Sequence, residues 1–142
     1  MGLQKPARYQ FIIAHILIFY YLLRYNMCER ADVDILFRTA KMARVCSSRK
    51  ERAKAFGPMR AKIVGRRLDQ MRLSRSLKAF SLVHPRCHPL IGNRAGQWSA
   101  DLDGPYRLIF EIAVDPVPMD DYGSIDLDKV QKVRIIDVAD TH

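Results

Sequence analysis

The spacing of apolar residues changes period once along this chain, near Pro89, and that change restricts the fold more than any other feature. Upstream, Met42, Val45, Cys46, Ala53 and Phe56 recur at intervals of three, one, seven and three, and Ala61, Val64, Leu68 and Met71 form a second stripe. Such intervals gather side chains on one side of an α-helix. Downstream, Trp98, Ala100 and Leu102 alternate with Ser99, Asp101 and Asp103, and Tyr106, Leu108, Phe110 and Ile112 alternate with Arg107, Ile109, Glu111 and Ala113. A period of two is that of strands with one buried face. A helical stretch followed by a stranded one predicts an α+β domain rather than alternating βαβ units.

Punctuation residues mark the element ends. Gly57 followed by Pro58 ends one helix and starts the next, because glycine closes a last turn and proline suits a first one. The two stretches therefore read as a helical hairpin, preceded by a short β-rich run over Val33 to Phe37. Asp103-Gly104-Pro105 supplies the turn of a β-hairpin, residues Asp115 to Asp128 read as an exposed loop, and Lys132 to Asp140 (KVRIIDVAD) makes the last strand. The expected order is strand, helix, helix, antiparallel meander.

Charge is segregated along the same axis. Residues Arg38 to Arg94 hold sixteen basic side chains against only Glu51 and Asp69, whereas Ala95 to His142 hold four against ten acidic ones, within a chain of net charge +9. A polycationic block of this kind suits a polyanion, since each neutralised phosphate releases a condensed counterion, although a solvated helical face has the same composition. Lys62, Arg66 and Asp69 lie opposite the apolar stripe of the second helix, which makes Lys62, Arg66 and the adjoining Arg67 candidate contacts for such a polyanion.

The N-terminus stands apart. Phe11 to Leu23 reads FIIAHILIFYYLL, shorter than the roughly 20 residues of a membrane span and followed by no small-residue cleavage site. Three readings stay open: translated upstream sequence with Met27 as the start, a helix added to the fold, or an anchor. Residues 1–30 are accordingly treated as an extension and 31–142 as the domain, with membrane attachment not expected. Cys28, Cys46 and Cys87 are odd in number and form no CxxC, which fits a reducing cytoplasm.

No Gly-rich phosphate loop, HExxH, GxSxG or dinucleotide fingerprint is present, so those enzyme classes and their cofactors are not expected. The remaining acid/base groups are His84 and His88 in HPRCHPL, Arg94, Arg107, Asp140 and His142. Two histidines and an arginine suffice for RNA cleavage: one group takes the 2′-OH proton, one protonates the departing 5′-oxygen, and a guanidinium stabilises charge on the phosphate. The same residues also read as polar loop histidines and a surface arginine. HxxCH lacks the second ligand pair of a zinc site, so no metal is expected. Trp98 reads as core before it reads as a base-stacking platform.

The run RCHPLIGNRAGQWSADLDGPYRLIFE, with VRIIDVADTH at the terminus and KMARVC and RRLDQMR upstream, resembles the HigB branch of the RelE/ParE toxins of bacterial toxin–antitoxin systems. The resemblance runs from about Val33 to His142 and leaves out the apolar N-terminus. It implies a RelE-like compact fold, an N-terminal strand and two-helix hairpin packed on an antiparallel β-sheet. It also implies a ribosome-dependent endoribonuclease that cuts mRNA and is neutralised by a HigA-like antitoxin. By position, the resemblance marks His88, Arg107, Asp140 and His142 as catalytic. Two positions depart from the pattern: Ile91 stands where a lysine is common, and Thr141 where a tyrosine is common. Arg94 and Arg86 are then the candidate replacements for the missing phosphate contact. A ParE-like inhibitor of DNA gyrase, which needs no catalytic histidine, and an antitoxin-type partner are the competing readings.

Overall fold

The computed structural model of the 142-residue chain describes residues 15–17, 20, 32–84 and 86–141. The chain divides into two compact units, Met1–Arg30 and Ala31–His142. In the first, residues 15–17 and Tyr20 are helical and exposed. The rest of the Phe11 to Leu23 run, Met27 and Cys28 lie outside the described residues. Among the described residues, no helix is long and apolar enough to cross a membrane.

The second unit opens with strand β1 (Asp34–Phe37) and helix α1 (Ala40–Ser47), whose first turn is capped by Thr39 Oγ1 accepting from the Met42 amide at 3.1 Å. The periodicity from Met42 to Phe56 predicts one helix, but the structure breaks it at Ser48. That residue is extended, and its Oγ accepts from the Glu51 amide at 3.3 Å, so a new helix α2 (Arg49–Phe56) starts there. A serine followed three residues later by glutamate is the capping-box signature, and it outcompetes helix continuation locally. Gly57 ends α2 at φ 80, a left-handed angle that glycine adopts without strain, and Pro58 opens α3 (Pro58–Arg72) as expected. A further helix, α4 (Leu77–Val83), follows a Ser76 cap and buries Leu77 and Phe80. The apolar spacing of the sequence does not mark this helix.

The strands are β2 (His88–Pro89), β3 (Gln97–Asp101), β4 (Tyr106–Ile112) and β5 (Lys132–Asp140), in the sheet order β1-β5-β4-β3-β2. The meander β3 to β5 is antiparallel as expected, the two-residue β2 extends it antiparallel to β3 where no strand is expected, and β1 adds to β5 in parallel, so the sheet is mixed at one edge. Parallel partners need a long crossover, and here all the intervening elements supply it. Phe110 pairs with Ile135 but Ile109 with Asp137, so Ile136 is an extra residue in β5 and the strand changes the parity of its faces there.

One face of the sheet carries Trp98, Ala100, Leu108, Phe110, Val133 and Ile135. These pack with Val64, Leu68, Met71, Leu77 and Phe80 of the helices into one buried core. Trp98 lies stacked near Phe110, ring centroids 6.5 Å apart, and is therefore core. Leu68, Phe80, Leu108 and Phe110 are fully buried, and burying such a side chain contributes about 1.5–3 kcal/mol each. The core thus fixes which side chains of the meander face away from it.

Candidate active site

Residues directly opposite in an antiparallel sheet share a face. The face turned away from the core therefore carries His88, Ser99, Ile109 and Asp137 in one row, and Asp101, Arg107 and Ala139 in the next. A third row holds Gln97, Glu111 and Arg134, with Arg134 Nη1 to Glu111 Oε1 at 2.6 Å. His88 and Arg107 are thus on one face, two strands and two residues apart, which is roughly 10 Å across and 7 Å along the sheet.

Arg107 is held from three sides. Its Nε contacts Asp101 Oδ1 at 2.8 Å, and its Nη1 donates to the carbonyls of Gly104 and Tyr106 at 2.8 and 2.9 Å. Its side chain is only 10% exposed. The second carboxylate oxygen of Asp101 binds Arg86 Nε at 2.8 Å, and the Arg86 side chain is 76% exposed. One carboxylate therefore orders two guanidiniums, a buried one that locks the β3–β4 turn and an exposed one at the surface. The sequence signal for Asp101 is one of register alone, since a hairpin centred on Gly104 pairs position 101 with position 107.

His88 is exposed on β2, and its Nδ1 donates to the Pro89 carbonyl at 3.0 Å. A carbonyl only accepts, so Nδ1 carries the hydrogen, and the neutral ring keeps its lone pair on Nε2. That tautomer is a competent base. His84 is built differently. Its ring accepts from Arg67 Nη1 at 2.8 Å and lies 4.7 Å from the Phe80 ring. Burial first, and then the Arg67 charge, push its pKa below the usual histidine value. It is a neutral acceptor at the end of α4.

The remaining candidates scatter. Asp140 pairs with Tyr106, and Val138 with Leu108, so the Ile136 bulge places Asp140 on the core-side face at the strand end and not beside Arg107. His142 lies outside the described residues. Arg67 joins α3 to the sheet, with Nε donating to the Asp101 carbonyl at 2.9 Å and Nη1 to Gln70 Oε1 at 3.0 Å. Burial lowers its pKa from the ordinary arginine value. Lys62 and Arg66 are exposed on α3, whereas Arg94 is half-buried and donates to Gln97 Oε1 at 3.3 Å. Ile91, beside it, is 89% exposed. Cys87 is buried, with its thiol pushed up to about 12, and is unreactive. Among the described residues, no group of His, Cys, Asp and Glu side chains could hold a metal ion.

The class defined by these elements is an α+β domain with a helical layer on one face of a five-stranded sheet. No family model matches the chain, and no curated protein matches it in sequence. Among solved structures, it is similar to a YoeB/ParE toxin from Agrobacterium tumefaciens, at 10% identity over 78% of this chain and 100% of that one, with a TM-score of 0.44. It is also similar to a chain of the toxin–antitoxin complex RelBE2 from Mycobacterium tuberculosis, at 18% identity over 77% of this chain and 98% of that one, TM-score 0.38.

Proposed function

We propose that residues 31–142 form the toxin of a type II toxin–antitoxin pair, a ribosome-dependent endoribonuclease that cuts mRNA by attack of a ribose 2′-OH on the adjacent phosphate. The observation that carries this reading is the convergence of the HigB-like segments. The RCHPL, GQWSAD, DGPYRLIFE and VRIIDVAD runs, scattered over some fifty residues, become the four neighbouring strands β2 to β5.

In this reading His88 and His142 form the acid–base pair. One takes the 2′-OH proton while the new 2′-oxygen–phosphorus bond forms; the other protonates the 5′-oxygen as its bond to phosphorus breaks, leaving a 2′,3′-cyclic phosphate and a 5′-hydroxyl. Arg107 and Arg86, ordered by Asp101, stabilise the charge that develops on the phosphate oxygens. Arg86 offers the exposed guanidinium, and Arg107 acts through the Asp101 clasp. Asp140 supports the terminal histidine, and Lys62, Arg66 and Arg94 contact ribosomal or messenger RNA, while Arg67 braces α3 through the Asp101 carbonyl, Gln70 and His84. The domain works without a cofactor in the cytoplasm, held inactive by a HigA-like antitoxin.

The test is induction of the chain, His88→Ala and His142→Ala in a bacterial host, with new mRNA 5′ ends mapped genome-wide. Cuts inside translated frames that disappear in both variants are expected. The engagement of Arg107 in turn contacts favours a second, non-catalytic reading, inhibition of DNA gyrase. Growth arrest without new 5′ ends, unchanged in both histidine variants, would select it.

A further inference from the structure

Between α2 and α3 lies a cleft of about 570 Å³, within the roughly 300–1,000 Å³ usual for small-ligand pockets. Four cationic side chains line it, Arg49 and Arg52 from α2 and Lys62 and Arg66 from α3. Its one carboxylate, Asp69, already accepts from Arg72 at 3.2 Å. The positions 49 and 52 on one helix and 62 and 66 on the other recur at three and four residues, so each pair lies on one helix side. The cleft is thus cationic by construction and not by the average of the region.

Arg52 is seated in a way the other three are not. Its Nη1 donates to the Cys46 carbonyl. Its guanidinium lies against Gly65 in the middle of α3, so close that a Cβ at that position would stand 3.0 Å from Nη2 and 3.3 Å from Cζ. Glycine weakens a helix interior, and here it makes room for the guanidinium. Arg52 Nε is buried and has no hydrogen-bond partner among the described residues. That nitrogen is closed off against α3, so an anion in the cleft meets the outer nitrogens of the guanidinium, and a charged group already short of an acceptor is best matched by an oxyanion.

We propose that the α2–α3 cleft is a receptor for a phosphate group, with Arg52 as its seat and Arg49, Lys62 and Arg66 as its rim. A multiply charged tetrahedral oxyanion presents acceptors in several directions, which suits cations converging from two helices better than a planar carboxylate does. The site shares Lys62 and Arg66 with the RNA contacts proposed above. It needs none of His88, Arg107, Asp140 or His142, so it stands or falls independently of cleavage. The phosphate source is either a nucleic-acid backbone or a free nucleotide-like anion.

The experiment is calorimetric titration of the full chain at low salt with inorganic pyrophosphate and, separately, with a 2′-O-methyl RNA decamer that cannot be cut. Pyrophosphate should bind at one site, and Arg52→Gln and Gly65→Ala should each weaken it at least ten-fold. Gly65→Ala should also keep or raise the melting temperature, because alanine favours the helix while its Cβ displaces Arg52. Arg75→Gln, an exposed charge outside the cleft, should bind as the parent does. RNA binding that pyrophosphate competes away assigns the site to a nucleic-acid backbone, and pyrophosphate binding that the RNA leaves untouched assigns it to a free anion. Absence of pyrophosphate binding, or equal losses in Arg52→Gln and Arg75→Gln, would overturn the proposal, as would full affinity in Gly65→Ala.

Discussion

At the scale of single residues, Asp101 does more than any catalytic candidate, since it holds a buried and an exposed guanidinium with its two oxygens. Asp101→Asn keeps the shape but removes the charge, leaving Arg107 poorly compensated in its desolvated position. A stability loss of about 2 kcal/mol is expected, below the range for a fully buried pair because Asp101 is a quarter exposed. Urea denaturation of the variant beside the parent measures it, and an unchanged midpoint would refute the clasp. His84 makes a pH prediction. Burial and Arg67 depress its folded pKa, so the unfolded chain binds the proton more readily. The stability this confers is complete above the unfolded value of about 6.5 and declines as pH falls from there through the folded pKa. Denaturation between pH 7.5 and 5 should show that decline, and His84→Gln should flatten it.

At the scale of elements, local capping decided where helices stop. The Ser48 cap divides what hydrophobic spacing alone reads as one helix, and the Ser76 cap starts a helix that spacing alone overlooks. Ser48→Ala should cost about 1 kcal/mol, the usual loss for an N-cap, with a matching fall in melting temperature followed by circular dichroism. An unchanged melting temperature would mean that packing alone sets the break. The Ile136 bulge acts in the same way on β5. Residues two apart on a regular strand share a face, which without a bulge would put Asp140 on the face of Arg134, away from the core. The extra residue reverses that parity and turns Asp140 toward the face of Tyr106 and Leu108.

At the scale of the whole molecule, the charge segregated in the sequence is segregated in the fold: the basic block builds the helices and the acidic third builds the later strands and the loop before β5. If Lys62 and Arg66 contact phosphates, association with ribosomes weakens linearly in log salt, and Lys62→Gln or Arg66→Gln should each lower that slope by about one. Sedimentation with ribosomes across a salt series reads it, and an unaltered slope would remove those residues from the interface. Arg67 should behave differently. Its bonds to the Asp101 carbonyl and to His84 make it a strut between helix and sheet, so Arg67→Gln should lower stability more than it changes the salt slope.

The α+β order, the core stripe Ala61, Val64, Leu68 and Met71, the Asp103-Gly104-Pro105 hairpin and the location of the basic block are all legible in the chain before it folds. Each of these is a periodicity or a turn preference, written in neighbouring residues and legible without distant contacts. Long-range packing, by contrast, joins β1 to β5 in parallel, commits Arg107 to Asp101 and the turn carbonyls, and moves Asp140 off the face of His88. It also decided that Arg52 and Gly65, thirteen positions apart and on different helices, meet across a cleft. Those outcomes depend on register, bulges and burial, which are set when the core closes and not by the residues at either side of each position.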